Sequence, residues 1–319
     1  INIARDAMHP IMLQENYLKE KFSKYTVIFQ KIIPREECRN TEACCGCVFA
    51  ALKKDWLTIK IDKVIWASSI EYSDFWNINS LIHNKFLGLD CVLLLYGKKD
   101  NSNLSEDYGK IIECDFDPCT QEIPQLIFNK WHYTRNEPNT TWLIGDIDQI
   151  PLQKEHFIDQ LHNVPEDAYV HLAEDATTFY GCPDWKKEKG SLPGHYHVAK
   201  GSTFTKALDL EKDLCEHTNN LIKNSQDDSS PLWAYEEVYT ADLIKLNYFN
   251  NFYGFSRGKF ENSSVDHGPL GKKICRSQGS AYDLDLLKNN QYVDYHCPRP
   301  YSDNKDFINS ILELAWGKF

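Results

Sequence analysis

Thr141-Trp142-Leu143-Ile144-Gly145-Asp146-Ile147-Asp148-Gln149-Ile150-Pro151-Leu152 is the most informative run of the chain for its architecture. Its apolar core, Trp142 to Ile144, reads as a buried central strand. The run halts at Gly145 and delivers two carboxylates, Asp146 and Asp148, at the strand's carboxyl end. In open α/β sheets that edge is where ligands bind. Two positions apart in an extended segment, the two side chains point the same way. Such a pair suits Mg2+ or Mn2+, hard ions that take oxygen ligands and keep room for substrate phosphates. Two like charges set directly after a buried strand call for a counter-ion, because burying them alone is costly. A bare Asp-x-Asp on a surface loop is ordinary and merely solvated. The apolar strand before this one, and Ile150-Pro151-Leu152 after it, set it apart.

Upstream the pattern is regular. Val64 to Ser68 is a short β-forming run, and Asp90 to Tyr96 is another. Between them Phe75, Ile78, Ile82 and Phe86 recur every three or four residues, the apolar stripe of a helix. Strand, helix, strand within roughly 30 residues is a βαβ unit, which favours a parallel sheet. Lys110 to Cys114 reads as a further strand. Ile123, Leu126, Ile127 and Trp131 mark a second helix, with Pro124 tolerated in its first turn. Downstream, strands are expected at Ala168–Leu172 and His195–Ala199, and helices near Thr205–Asn219, near Pro231–Leu246 and around Phe307–Ala315. The expectation is an α/β protein with a mostly parallel central sheet flanked by helices. Residues 61–319 form that domain, and residues 1–60 form an N-terminal elaboration packed on it. In the elaboration, Tyr25–Ile33 reads as a strand and Val48–Lys54 as a short helix.

The chain has 319 residues, 42% hydrophobic and 25% charged, which excludes a disordered or fibrous class. Its formal net charge is -11, and its Lys and Arg are scattered. Such a surface repels phosphate backbones, so no nucleic-acid partner is expected. An anionic small molecule still binds an acidic protein when a divalent cation stands between them. No run of about 18 apolar residues appears, so no membrane span is expected. Eleven cysteines include a cluster at Cys38, Cys44, Cys45 and Cys47 that lacks two CxxC pairs. Whether that cluster is disulfide-bonded, metal-bound or free stays open. No leader is visible, which points to the cytoplasm. The cysteines and the sequons at Asn103, Asn139 and Asn262 point instead to a secretory lumen, reached through an anchor since removed.

The segment Trp142–Leu152 resembles the Asp-x-Asp strand of GT-A type nucleotide-sugar glycosyltransferases, and the order of elements from about Val64 onward is similar to that family's. The resemblance implies a metal-dependent enzyme of the hexosyl- or pentosyltransferase class. Its expected partners are a nucleotide-diphosphate sugar donor and a glycan or other hydroxyl acceptor. Ala67, Ser68, Ser69 and Tyr72 occupy the place that holds nucleotide base and ribose. Asp146 and Asp148 hold Mn2+ or Mg2+. Tyr292-Val293-Asp294-Tyr295-His296-Cys297-Pro298-Arg299 resembles the late segment in which a histidine completes the metal shell beside a basic residue. By this likeness His296 is a ligand and Arg299 meets the diphosphate. The rival for capping a diphosphate is the Gly-rich basic loop Asp266–Lys273, with His267 and Lys272, against a slightly favoured plain reading as a surface turn.

Transfer to a hydroxyl needs a general base where the enzyme inverts. Glu236 and Glu237 lie among aromatics in Trp233–Tyr239 that stack on sugar faces, against a plain reading as a solvated helix face. Glu174 and Asp175 are the second choice. Two other readings stand beside transfer. One is a sugar-phosphate nucleotidyltransferase, disfavoured because the first strand is followed by Ser-Ile-Glu-Tyr without Gly or Arg. The other is a non-catalytic carbohydrate-binding protein on a transferase-like fold.

Overall fold

Trp142, Leu143 and Ile144 are each 0% exposed, because β6 (Thr141–Ile144) lies at the middle of a seven-stranded sheet. This is a computed structural model. It describes residues 25–33 and 47–54 of one compact unit, Ile1–Leu57, and residues 58–173, 190–225, 232–248, 251–255, 272–274 and 282–318 of a second, Thr58–Phe319.

In the second unit β3 (Lys63–Ser69) lies beside β6, then β4 (Asp90–Tyr96), then β5 (Gly109–Cys114), all parallel. On the other side of β6 lies β9 (His197–Lys200), antiparallel to both its neighbours, then β8 (Tyr169–His171) and β10 (Phe252–Gly254). Six of the seven strands thus share one direction. Both faces are covered, which is why the strands read as continuous apolar runs rather than alternating ones. Val64, Trp66, Leu93 and Leu143 pack with Ile78 and Ile82 of α1 (Trp76–Ile82) and with Ile308, Ile311 and Leu312 of α6 (Tyr301–Trp316). Ile65, Leu94, Trp142 and Ile144 pack on the opposite face. Their partners there are Phe128 and Trp131 of α2 (Glu122–Tyr133), Phe204 of α3 (Gly201–Leu208) and Ile244 of α5 (Leu232–Tyr248). This is the mostly parallel, helix-flanked α/β sheet that a GT-A, Rossmann-like reading anticipates.

Three local expectations need correction. In α2, Ile123 is 58% exposed, and the buried face is Pro124, Gln125, Phe128, Lys130 and Trp131. Pro124, Phe128 and Trp131 form their own stripe at helical spacing, and the bulky Phe128 and Trp131 share a core cluster with Trp142. The single helix expected at Thr205–Asn219 is two, α3 and α4 (Leu214–Ser225), parted where Asp209 takes a left-handed φ of 55°. In the first unit Val48–Lys54 is not helical. β2 (Cys47–Lys54) pairs antiparallel with β1 (Tyr25–Ile33), in register from Tyr25↔Lys54 to Ile33↔Cys47. A short apolar run carries too few turns for its period to separate helix from strand, and pairing decides.

A second sheet of three strands positions the site. β7 (Gln149–Pro151) pairs antiparallel with β12 (Tyr292–His296), setting Gln149 against His296, and β11 (Lys272–Ile274) pairs parallel on the outer side of β12.

Candidate active site

At the end of β6 the Gly145 N–H donates to the Ile65 carbonyl at 3.0 Å. A Cβ at 145 would collide with the Trp66 indole nitrogen, so only glycine allows this approach. The Gln149 N–H then donates to the Asp146 carbonyl at 3.0 Å, closing a turn over Ile147 and Asp148. A turn, not an extended segment, therefore carries the two aspartates, and strand alternation is not what orients them. Asn79 of α1 fixes the turn from one side, its Nδ2 donating to the carbonyls of Ile147 at 2.9 Å and Gln149 at 3.2 Å. From the other side the Cys297 N–H donates to the Asp148 carbonyl at 2.8 Å.

Asp148 is buried, and its Oδ2 gathers two partners from the late segment. His296 Nε2 lies 3.1 Å away, and Arg299 brings Nε to 2.7 Å and Nη2 to 2.6 Å. Burial alone would push this carboxyl up; the hydrogen bond from His296 and the charges of His296 and Arg299 outweigh it and hold the group below its usual range. Arg299 also lies over the Tyr72 ring, Cζ 5.1 Å from the centroid, in a cation–π arrangement. The late segment and the loop after β3 thus meet.

Asp146 has different partners. Lys130 of α2 places Nζ 2.6 Å from Oδ1 and 3.4 Å from the Gly145 carbonyl. His195 Nδ1 lies 3.6 Å from Oδ2 and 3.3 Å from the Gln149 amide nitrogen. Protein atoms crowd the Asp146 carboxylate, yet its side chain keeps 39% of its surface accessible. Crowding pushes its pKa up, but the Lys130 ammonium and then His195 prevail, and it is held well below the carboxylate range. The counter-charges that the sequence argument asked of an ion are thus already present as Lys130 and Arg299.

Glu236 is 2% exposed, not a solvated helix face. Its Oε1 accepts from the Trp131 indole N–H at 2.9 Å, and a Cβ at Gly194 would press on its carboxylate. Burial pushes its pKa up to about 8, against the pull of Lys130. Against Trp131, at 4.6 Å between ring centroids, His197 is held neutral by burial, its pKa lowered to about 3, with Tyr169 Oη 2.9 Å from its Nδ1. Glu237, one residue on, is half-buried, and its carbonyl accepts from the Leu192 N–H. Of the remaining expected residues, Ala67 and Ser69 are half-buried, and Ser68 is buried with its hydroxyl donating to the Ser69 carbonyl. Glu174, Asp175, His267 and the Lys272 side chain lie outside the described residues.

Sequence reasoning missed Lys130, His195, Gln149 and Asn79. One signal existed: Lys130 stands three residues after Ile127 and beside Trp131, inside the apolar spacing of α2, where a lysine must find a buried anion. His195, Gln149 and Asn79 carried no such signal, because contacts between distant elements place them.

Oxygen donors from Asp146 and Asp148 with an imidazole from His296 are the right chemistry for Mn2+ or Mg2+. Asp148 and His296 already meet. The one group of three such ligands found among the described residues within 4.8 Å of one another is Asp117, Cys119 and Cys215, so Asp146 is not gathered as tightly as the other two. Cys119 and Cys215 are joined as a disulfide across 96 residues, which removes that trio as a metal site. Cys91, Cys114 and Cys297 are free thiols.

No family model matches the chain, and no curated protein matches it. Solved structures do. The WbbM bifunctional glycosyltransferase in its apo form shares 11% identity at a TM-score of 0.42, over 81% of this chain and 50% of that one. The galactosyltransferase LgtC, in complex with donor and acceptor sugar analogs, shares 12% at 0.41, over 79% and 95%. The apo glycosyltransferase GlyE of Streptococcus pneumoniae TIGR4 shares 12% at 0.38, over 62% and 45%. The chain thus matches half or less of WbbM and GlyE but nearly all of LgtC.

Proposed function

We propose that the chain is a metal-dependent glycosyltransferase of the hexosyl- or pentosyltransferase class, moving a sugar from a nucleotide-diphosphate donor to a glycan or other hydroxyl acceptor. One observation carries the reading. Asp148 binds both His296 and Arg299 at the carboxyl edge of a parallel sheet, within one turn of Asp146. Asp146, Asp148 and His296 are the residues to hold Mn2+ or Mg2+, which when bound supplies Lewis-acid stabilisation of a departing diphosphate. Arg299, held by Asp148 and 40% exposed, faces the phosphates as a fixed guanidinium. Tyr72, 49% exposed beneath it, offers a flat ring to the nucleoside. Lys272 enters on its place in β11, next to the strand that carries His296.

For the base, Glu237 is favoured over Glu236. Glu236 is sealed against Trp131 and cannot touch an acceptor, so its part is to position Trp131 and the loop at Gly194. Asp175 remains the second choice. The Cys119–Cys215 disulfide supports a secretory lumen rather than the cytoplasm, since such bonds persist in oxidising compartments. Alkylation of both thiols in protein taken unreduced from its source cell would reverse that placement.

Calorimetry with a panel of nucleoside diphosphates, with and without MnCl2, tests the function. The expected result is binding of at least one diphosphate that strengthens about tenfold or more with the ion, the weight of one good charge contact. Binding of free glycan with indifference to both nucleotide and metal would leave a carbohydrate-binding protein instead.

A further inference from the structure

Lys130 is an unusual place for a charge. Its side chain is 7% exposed, on a helix whose other buried residues pack under the sheet. Lysines are almost never so buried unless paired, and removing one partner of a buried pair leaves a strongly destabilising charge. The partner is Asp146 Oδ1 at 2.6 Å, with the Gly145 carbonyl at 3.4 Å completing a grip on the start of the turn. The pairing is asymmetric: the ammonium is sealed while 39% of the Asp146 side chain stays accessible. Any cation reaching Asp146 comes from the open side and meets the Lys130 charge from behind.

Resting on the reading of this site as a divalent-ion site, we infer that Lys130 is a resident counter-ion. It holds Asp146 and the Gly145 carbonyl in place while no divalent ion is bound, and it weakens the ion's grip once one arrives. The turn is thereby assembled in the metal-free protein, and the ion stays exchangeable between turnovers. Lys130 is a positioning residue here, since it touches Asp146 rather than any reacting atom.

Two consequences separate this from a plain structural lysine. Lys130→Met leaves Asp146 without its cation, so the metal-free variant melts lower than wild type, while Mn2+ itself binds it more tightly. Lys130→Arg keeps the charge and stays near wild type in both respects. The test is titration of the full chain with MnCl2, following the free-ion resonance signal, together with melting in chelator and in saturating MnCl2. The expected affinity for Mn2+ rises about tenfold or more in Lys130→Met and stays within about threefold in Lys130→Arg, as one unit charge at short range predicts. The thermal shift on adding Mn2+ is larger in Lys130→Met than in wild type, as linkage requires. If Lys130→Met folds only with the ion present, it is prepared in MnCl2 and challenged with chelator, and slower release than wild type is the supporting result. Equal or weaker Mn2+ binding by Lys130→Met overturns this inference alone. Absence of Mn2+ binding by all three proteins removes the metal reading, and this inference with it.

Discussion

Asp146 and Asp148 share one turn yet live in opposite arrangements. At Asp148 the acid is sealed, with 2% of its side chain exposed, and its partners are more open, Arg299 at 40% and His296 at 19%. At Asp146 the acid is open, at 39%, and its partners are sealed, Lys130 at 7% and His195 at 8%. An arriving molecule therefore meets a carboxylate from one pair and a guanidinium and an imidazole from the other. The difference teaches that the two acids do not play equal parts. Asp148 chiefly orders the late segment, whereas Asp146 is the more accessible oxygen donor. The surface so presented sets an accessible carboxylate beside an accessible guanidinium, which two like acids alone do not provide.

The harshest way to break this comparison is Asp148→Ala. It releases His296 and Arg299 together, so turnover should fall at least about 1000-fold, beyond the loss of a single stabilising contact. Stability should drop by only about 1–3 kcal/mol, because both released partners are partly solvated already. Near-normal turnover in a sugar-transfer assay would remove the metal assignment.

A milder probe is the pH dependence of stability. Asp146 and Asp148 are held low, so what they contribute is complete above the ordinary carboxylate range and is lost as pH falls through their folded values. Glu236 runs the other way. Its folded pKa of about 8 exceeds the ordinary 4.5, so the folded state binds more protons and wild type loses stability as pH rises between those values. Glu236→Gln removes that slope. The variant should gain on wild type from pH 5 to pH 8, by up to on the order of 4 kcal/mol. Parallel melting curves at the two pH values would place a charged Glu236 in the fold and undo its role as a neutral positioning group. The smallest effect expected is that of Tyr72→Leu, which removes the ring beneath Arg299. Donor KM should rise about two- to fivefold with kcat little changed, as an exposed cation–π contact is worth. A change in kcat alone would move Tyr72 away from the donor.

The sheet was legible because buried parallel strands leave an unambiguous mark: Asp90–Tyr96 and Trp142–Ile144 are apolar without interruption. The family likeness placed His296 with Asp148, across 148 residues, but gave Arg299 to a diphosphate, so its ion pair with Asp148 was not legible. The shape of the turn was not read from the sequence, although Gly145 and two aspartates are turn formers, because the pair was taken as a continuation of the strand. Nor was the burial of Glu236. Two adjacent glutamates on one helix look alike in a sequence, and what divides them is Trp131 on another helix. The hairpin of β1 and β2 failed for a similar reason, its second strand being defined by its partner rather than by its own period.

The pairing of β7 with β12 also has a bearing on biosynthesis. Gln149 leaves the ribosome long before His296, so a nascent chain that has formed its central sheet still lacks the imidazole and guanidinium that clasp Asp148. Such an intermediate carries an acidic turn with half its partners missing. The cluster around Asp148 is then completed only in a late step of synthesis.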